Sequence, residues 1–421
     1  MKAVSTRGKS PKVDISKCIL EGLAPDGGLY VPTSWPSCLE NSSTKSFKEY
    51  AYQAIAPFFK DDPLEQKLEG FINRAFDFVL PVCFVEKNHA ILELFHGPTA
   101  AFKDFGARFL AEVLSEIGKN HGELTILVAT SGDTGGAVAS AFYDKPGIKV
   151  AILYPKGKVS PLQEQQLTCW GKNIKSFRVE GTFDDCQSIV KEAFNDVDIK
   201  NKFNLTSANS INLGRLLPQM AYQGFSAKLF RGSAGVNPNI VIPSGNLGNA
   251  FGAFWAKSMG APIDKIVLAS NANTTIPNFF IDGQYSPKAS VSTLANAMDV
   301  GAPSNMERLL YLHPDFQKLK NIAMGISVSD DEIKNEIKNF FEKHQMPICP
   351  HTGVGVFAAR KILGDLPYLV CATAHPSKFR EVVEPEIGTK LILPPKLSSL
   401  MEMESSAIDI EASLEVLLNH F

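Results

Sequence analysis

The chain alternates between short apolar runs and amphipathic stretches through most of its length after residue 100. Short apolar runs predict buried strands, and apolar residues spaced three or four positions apart predict helices. Their alternation is typical of a doubly wound α/β fold with mostly parallel sheets. The predicted strands are 124–129, 149–154, 177–179, 240–242, 266–269 and 368–371, and the predicted helices are 136–143, 184–195, 250–259, 331–344 and 355–363.

The segment before residue 100 has a different pattern. Residues 22–32 form a turn-rich run that ends in a short apolar strand, and 46–78 show a helical pattern whose aromatic residues we expect in the core. A chain of 421 residues is longer than one compact core requires. We therefore expect two or more domains.

Lys103 lies at the start of a predicted amphipathic helix, directly after Ala100, Ala101 and Phe102. Apolar surroundings lower the pKa of a lysine, and a neutral amine is a nucleophile that can form an imine. The alternative is a helix-start lysine whose stem lies on apolar surface while its amine reaches water. Taken alone, the segment favours the second interpretation. The apolar face of this helix comprises Phe105, Leu110, Val113, Leu114 and Ile117.

Polar, glycine-rich motifs follow four of the predicted strands, at 130–136, 243–249, 270–275 and 372–376. Open α/β sheets bind ligands beyond the carboxyl ends of their strands, so we expect these motifs to converge on one crevice.

Two of these motifs are candidate anion cradles. In 244–249 the glycines and the following helix start can present backbone N–H groups to a phosphate, and a Gly-Asn turn that caps a helix is an equally good interpretation. The motif at 130–136 adds hydroxyl groups to the same arrangement. Two cradles suggest a phosphorylated cofactor and a second anionic group on the substrate.

The motif at 209–219 brings amide and hydroxyl side chains close to Arg215. An arginine with such neighbours is suited to bind a phosphate or a carboxylate. An exposed loop arginine near a helix start is the alternative, and the motif alone favours it.

Charge and cysteine content exclude several classes of protein. Lys and Arg number 42 against 44 Asp and Glu, so nothing suggests a nucleic-acid or acidic-membrane surface. No stretch is long enough to span a bilayer, and we expect a cytoplasmic protein. The seven cysteines are scattered, which argues against a disulfide framework or a zinc ribbon. His96, His351 and His375 have no ligand-spaced partner, so we expect no metal site.

Seven motifs together resemble the threonine synthases, which are pyridoxal-phosphate enzymes of fold type II. The run APDGGLYVP at 24–32 is similar to the longer bacterial and fungal members. In chain order, the motifs are HGPTAAFKDFG, ATSGDTGGAVA, YPKGKVSPLQEQQ, SANSINLGRLLPQ, PSGNLGN, SPKASVSTLANAMDVGAPSN and ATAHPSKF.

The resemblance implies a role for each matching residue. Lys103 would form the imine with pyridoxal phosphate, Asp133 would lie where many relatives carry an asparagine beside the pyridine hydroxyl, and Thr373 would lie near the pyridine nitrogen. The cofactor phosphate would be held by Gly245, Asn246, Leu247, Gly248 and Asn249. The carboxylate and phosphate of the substrate would be held, as a set, by Thr130, Ser131, Thr134, Asn209, Ser210 and Arg215.

The implied reaction converts O-phospho-L-homoserine and water to L-threonine and phosphate, which makes the enzyme a carbon–oxygen lyase of threonine biosynthesis. Alternatives are a phospho-lyase that releases 2-oxobutyrate, a serine or threonine dehydratase, and a non-catalytic binding module on the same scaffold. The partner implied is this small molecule alone, with no nucleic acid, membrane or protein.

The resemblance also implies a division of the chain into domains. It comprises an N-terminal segment at 1–95 that packs on the large domain, a small α/β domain at 105–225, a large cofactor domain at 226–395 and a helical tail at 396–421.

Overall fold

The computed structural model describes all 421 residues, which form three sheets surrounded by helices. The strands are β1 (Lys2–Ser5), β2 (Val13–Asp14), β3 (Tyr30–Pro32), β4 (Val82–Glu86), β5 (His89–Glu93), β6 (Leu124–Ala129), β7 (Ile148–Pro155), β8 (Ile174–Glu180), β9 (Leu205–Thr206), β10 (Asn239–Pro243), β11 (Ile266–Ser270), β12 (Ala323–Ser327), β13 (Tyr368–Ala372) and β14 (Ile408–Glu411).

The α-helices are α1 (Ile15–Glu21), α2 (Phe47–Ile55), α3 (Leu68–Ala75), α4 (Lys103–His121), α5 (Asp133–Phe142), α6 (Pro161–Thr168), α7 (Phe183–Asn195), α8 (Val197–Lys202), α9 (Leu213–Ala234), α10 (Gly248–Ser258), α11 (Thr275–Asp282), α12 (Met306–Leu312), α13 (Phe316–Ile322), α14 (Asp330–His344), α15 (Pro350–Leu363), α16 (Arg380–Ile387), α17 (Pro395–Met401) and α18 (Leu414–Leu418). Four 3-10 turns add Ala56–Phe59, Glu65–Lys67, Asn296–Met298 and Pro376–Phe379. No helix combines the length and apolar character that a membrane crossing requires.

Two of the sheets are large and mostly parallel, which confirms the predicted α/β class. The first has the order β12-β11-β10-β13-β5-β4 and only β4 is antiparallel in it; the second has the order β14-β8-β7-β6-β9 and is wholly parallel. Every residue of β6, β10, β11 and β13 is buried, as expected for strands with helices on both faces. Strands β1 to β3 form a small antiparallel sheet.

Helices α4 and α9 lie in the core between the two large sheets. Helix α4 packs on α3, α5 and α9, whereas α9 packs on α2, α4 and α10. The largest apolar cluster includes residues of both helices and of strands from both large sheets. Helix α9 is continuous through Pro218 and crosses residue 225, where the division implied by the resemblance has a domain boundary.

The C-terminal segment differs from the expected helical tail. It contains α17 and α18, but it also supplies β14, which pairs with β8 at the edge of the five-stranded sheet. Apolar side chains of β14 and α18 pack with those of α7 behind that sheet. The tail is therefore part of the smaller sheet's layer, and burial of Ile410, Leu414 and Leu417 explains its attachment.

Candidate active site

The start of α4 is held in place by a buried carboxylate. Thr99 donates to both oxygens of Asp104, from its backbone nitrogen at 2.9 Å and from its hydroxyl at 2.7 Å. Gly97 leaves room for this carboxylate, because a Cβ there would lie 2.4 Å from Asp104 Oδ2. Ala100 turns the chain with a φ of 52°. Lys103, the first residue of α4, therefore has a well-defined backbone position.

Two backbone hydrogen bonds attach this turn to the segment that follows β13. Phe102 N donates to Thr373 O at 2.8 Å, and His375 N donates to Ala100 O at 3.0 Å. Lys103 consequently lies at the carboxyl ends of parallel strands, where open α/β sheets bind ligands. Thr373, which the resemblance places near the pyridine nitrogen, is buried next to this turn.

Burial lowers the pKa of Lys103 to about 8, a shift that Asp133 opposes and that Lys378 and Arg215 reinforce. At pH 7.5 roughly a quarter of such amines are neutral, against about one in a thousand for an ordinary lysine. The side chain is partly buried, so a reactant can reach it. This is an environment in which a lysine can act as a nucleophile or a base.

Asp133 and Lys378 form a buried ion pair beside Lys103. Lys378 Nζ lies 2.9 Å from Asp133 Oδ1, and it also donates to Thr99 O at 2.9 Å. Gln163 Nε2 donates to the same Asp133 oxygen at 3.3 Å. Burial alone would raise the pKa of Asp133, but Lys378 and Lys103 hold it well below its ordinary value. Asp133 is therefore ionised at neutral pH.

The loop between β10 and α10 has the form of an anion cradle. Leu247 has a φ of 62°, in the left-handed region, and α10 starts at the next residue, Gly248. The loop therefore ends in free N–H groups at a helix start. Gly245 allows close packing, since a Cβ there would lie 2.8 Å from Met298 Cα. Asn249 Oδ1 accepts hydrogen bonds from two side chains of α9, and its Nδ2 is buried without a partner.

Asn246 joins this cradle to the motif around residue 210. Its Nδ2 donates to Ser210 Oγ at 2.8 Å, and its backbone oxygen accepts from Asn305 Nδ2 at 2.8 Å. The fully buried Arg308 donates to Asn305 Oδ1 and to Ile211 O. The predicted phosphate loop and the predicted substrate motif are thus adjacent.

Arg215 is buried on α9 against α4. Its Nη1 donates to Ala208 O, whereas its Nε has no hydrogen-bond partner. Gly106 of α4 makes this approach possible, because a Cβ there would lie 2.7 Å from Arg215 Nε. Burial lowers the pKa of Arg215 to about 10, so the guanidinium remains charged at neutral pH. A buried cation near Lys103 is suited to bind an anion.

The remaining predicted substrate residues have different surroundings. The buried Thr130 hydroxyl accepts hydrogen bonds from Gly132 N at 3.0 Å and from Gly135 N at 2.9 Å. It therefore stabilises the loop in which it lies. Ser131 is exposed and Thr134 is partly buried, as are Asn209 and Ser210 at the start of the other motif.

Three histidines border the site without forming a metal centre. His351 is buried on α15, and its Nε2 accepts from Ala297 N at 3.2 Å. Burial lowers the pKa of His351 and of His375 to about 4, so both are neutral at pH 7. His96 contacts Glu93 at 2.7 Å. No group of three or more His, Cys, Asp or Glu side chains is arranged to hold a metal ion.

Sequence reasoning does not single out Lys378, Asn305 and Arg308. Lys378 and Asn305 fall inside motifs quoted above, at the end of a strand or in a loop, and that position is a sequence signal by which they could have been found. What the sequence does not show is that the Lys378 amine turns inward to a residue 245 positions earlier; the pair appears only in the structure. Arg308 also contacts distant parts of the chain, since its hydrogen bonds to Ile211 and Tyr30 span 97 and 278 positions.

Family models and relatives agree with this geometry. Residues 89–373 match the model described as pyridoxal-phosphate dependent enzyme, and residues 2–76 and 352–420 match the N-terminal and C-terminal threonine synthase models. The threonine synthase of Escherichia coli K12 is 38% identical over 431 residues, which cover 100% of both chains. The chain belongs to the threonine synthase family. The enzyme is therefore dependent on pyridoxal phosphate and has fold type II.

Solved structures support the same assignment. A pyridoxal-phosphate-bound threonine synthase from Brucella melitensis has a TM-score of 0.93 and 33% identity, with 100% of this chain and 98% of that chain covered. A threonine deaminase isoform from Solanum lycopersicum has a TM-score of 0.56 and 17% identity over 84% of this chain and 98% of that chain, so it shares the fold alone. A dehydratase is accordingly not favoured.

The residues present fit pyridoxal phosphate. The threonine synthase cleft contains the Lys103 amine, whose pKa is lowered, and a cradle that is closely packed at Gly245. A Cβ at Gly245 would disrupt that packing. The buried Asn249 Nδ2 has no acceptor within the protein, and a phosphate oxygen would supply one. These features match an aldehyde cofactor that carries a phosphate.

Proposed function

We propose that this enzyme converts O-phospho-L-homoserine and water to L-threonine and phosphate, the last step of threonine biosynthesis. The observation that carries the proposal is that Arg215, buried near Lys103, belongs to the same motif as Ser210, which accepts a hydrogen bond at 2.8 Å from Asn246 of the separate phosphate cradle. The cofactor phosphate needs one anion site. The second site then serves the phosphate or carboxylate of the substrate.

We assign the cofactor contacts as a proposal. Gly245, Asn246, Leu247, Gly248 and Asn249 would hold the phosphate, and Lys103 would anchor the aldehyde carbon. When bound, pyridoxal phosphate withdraws electrons from the substrate carbons next to the imine nitrogen. A hydroxyl near the ring nitrogen, as Thr373 supplies, does not force protonation of the ring. Asp133 and Thr373 would contact the two polar positions of the ring.

Lys103 has a second role as the base. When not bonded to the cofactor, the Lys103 amine would remove the proton from Cα and deliver it to the carbon at the cofactor end of the imine, which would restore the neutral amine; it would then remove a proton from Cβ and return one later. Its pKa of about 8 suits both directions of transfer near neutral pH. Arg215, Ser210, Asn209, Thr130, Ser131 and Thr134 would together hold the phosphate and the carboxylate of the substrate until the Cγ–O bond breaks.

Water has to be excluded until the phosphate has left, because early hydrolysis releases a keto acid instead of threonine. Segment 295–298 packs over the cradle, since Met298 lies against Gly245 and Ala297 N donates to His351. This segment limits the access of water from one side.

The product decides between this proposal and the phospho-lyase. The cofactor-loaded enzyme is incubated with O-phosphohomoserine, and threonine, phosphate and 2-oxobutyrate are resolved by chromatography. We expect threonine and phosphate in equal amounts, and a dominant keto acid would contradict the proposal. Activity on unphosphorylated serine that survives Arg215→Ala would instead support a dehydratase.

We further propose two domains that move relative to each other, 105–225 and 226–395, with 1–95 on the larger and 396–421 on the smaller one. Membership of β4 and β5 in the six-stranded sheet and of β14 in the five-stranded sheet supports this division.

We also propose a cytoplasmic location, which the seven free cysteines support because thiols persist in reducing compartments. Cell fractionation tests it.

A further inference from the structure

Lys103 has a second lysine, the buried Lys378, as a neighbour, and both amines lie near the carboxylate of Asp133. Lys378 forms the direct ion pair with that carboxylate. Its Nζ lies 2.9 Å from Asp133 Oδ1, and the two side chains are 0% and 4% exposed. Asp133 accepts a further hydrogen bond from Gln163 at 3.3 Å. The carboxylate is thus oriented toward Lys378 and Gln163.

The backbone fixes Lys378 in this role. Its 3-10 turn is capped by the His375 side chain, which accepts from Ser377 N at 3.2 Å. Lys378 Nζ is also held by Thr99 O at 2.9 Å, in the turn that starts α4. The Lys378 amine therefore connects the start of α4 to the start of α5.

We propose that Lys378 is a positioning residue that holds Asp133 as its own counter-ion and thereby leaves the Lys103 amine without one. The electrostatic reason is simple. A buried carboxylate next to Lys103 with no other partner would stabilise the ammonium form of Lys103, whereas a carboxylate already paired with Lys378 contributes little net field. Lys378 therefore favours the neutral amine, on which both the covalent and the base role of Lys103 depend.

The other charged groups around Lys103 are consistent with this arrangement. Arg215 on α9 adds positive potential, which also favours the neutral amine. His351 on α15 faces Asp133 but is neutral at pH 7, because burial lowers its pKa to about 4. Asp104, on α4 itself, accepts two hydrogen bonds from Thr99; burial raises its pKa, and the charge of Lys378 opposes that rise. Of the two carboxylates, Asp133 is the one that Lys378 contacts directly, at 2.9 Å.

The test measures Lys103 in the cofactor-free protein, so it is independent of whether the proposed reaction is right. The protein is acetylated with trace acetic anhydride from pH 6 to 11, and peptide mass spectrometry gives the labelling of Lys103 relative to the exposed Lys9. Only the neutral amine reacts. We expect Lys378→Met to move the Lys103 profile upward by about one pH unit, so that labelling at pH 7.5 falls about eightfold.

The double variant Lys378→Met with Asp133→Asn removes both charges and should return the Lys103 profile to within about 0.3 units of the wild type. Lys343→Met is the matched control, since it removes one lysine from an exposed ion pair with Glu86, and it should leave the profile unchanged. An unshifted profile in Lys378→Met overturns the proposal. A shift that persists in the double variant overturns it as well, because the carboxylate is then not the cause.

A thermal melt of each variant shows whether it is folded. If Lys378→Met does not fold, the test rests on Lys378→Gln, which keeps a donor near Asp133 but removes the charge. A direct role of Lys378 in binding the substrate anion makes a different prediction: inorganic phosphate would bind more weakly to Lys378→Gln while the Lys103 profile stayed in place, and that result also overturns the proposal.

Discussion

Replacement of Gly245 by alanine tests whether the cradle is as closely packed as its geometry indicates. A Cβ at this position would lie 2.8 Å from Met298 Cα, 3.1 Å from Met298 O and 3.2 Å from Met298 C. All three are backbone atoms, so no side chain can turn away to make room. Ordinary contacts of this kind lie beyond about 3.4 Å, so the loop and segment 296–298 have to separate by roughly half an ångström or more.

Overpacking of this kind typically costs about 1–3 kcal/mol. Because the loop carries the proposed cofactor phosphate site, we expect part of the strain to appear as weaker binding. If all of it did, the dissociation constant for pyridoxal phosphate would rise by roughly 5- to 150-fold.

The measurement is a titration of the cofactor-free Gly245→Ala protein with pyridoxal phosphate, followed by the visible absorbance of the bound cofactor, together with thermal unfolding with and without cofactor. Gly171→Ala is the matched control, because a Cβ at Gly171 would meet no atom within 4 Å. A Gly245→Ala protein that binds the cofactor within about twofold of wild type and unfolds at the same temperature would refute the reasoning.

Three further changes test other parts of the structure. Lys103→Met should abolish turnover and the visible cofactor band. Because folding lowers the pKa of the wild-type lysine, its charged form opposes folding at pH 7. The cofactor-free variant should therefore unfold at a higher temperature than the wild type, and this difference should disappear as the pH rises toward 10.5. Arg215→Lys should raise KM for O-phosphohomoserine by about tenfold or more with a smaller effect on cofactor binding, because a lysine cannot reproduce a planar two-donor contact; equal loss of both would contradict its assignment to the substrate. Ser329→Ala removes a capping box at the start of α14 and should lower the free energy of unfolding by about 1 kcal/mol in urea titration while activity stays unchanged.

Strong local patterns predicted the elements that depend on them. The predicted strand 124–129 has the observed bounds of β6, and the predicted helix 331–344 is α14, which begins one residue earlier and has a capping box formed by Ser329 and Glu332. The predicted helix 184–195 begins one residue early, at Phe183, after a Thr182 cap. In each case apolar spacing and a local capping side chain determine the element.

Elements that depend on distant partners were missed. Strand β9 has only two residues and exists because it pairs with β6, and β14 is a half-exposed edge strand in a polar segment. Helix α9 continues through Pro218, which a sequence pattern reads as a break. At the site, the motifs and Lys103 are visible in the sequence, whereas the inward turn of Lys378 depends on a pairing across the fold.

The hydrogen bonds between the turn before Lys103 and the segment after β13 also constrain the order in which the enzyme can mature. The two segments are about 270 residues apart in the chain, and β13 lies in the middle of its sheet, between β10 and β5. During synthesis, Lys103 leaves the ribosome long before the strand that places it. A partly made chain therefore presents an ordinary, protonated lysine that captures little cofactor. On the proposed assignment of Lys103, pyridoxal phosphate binds only after β13 has inserted, so the visible absorbance of the bound cofactor would report a completed fold.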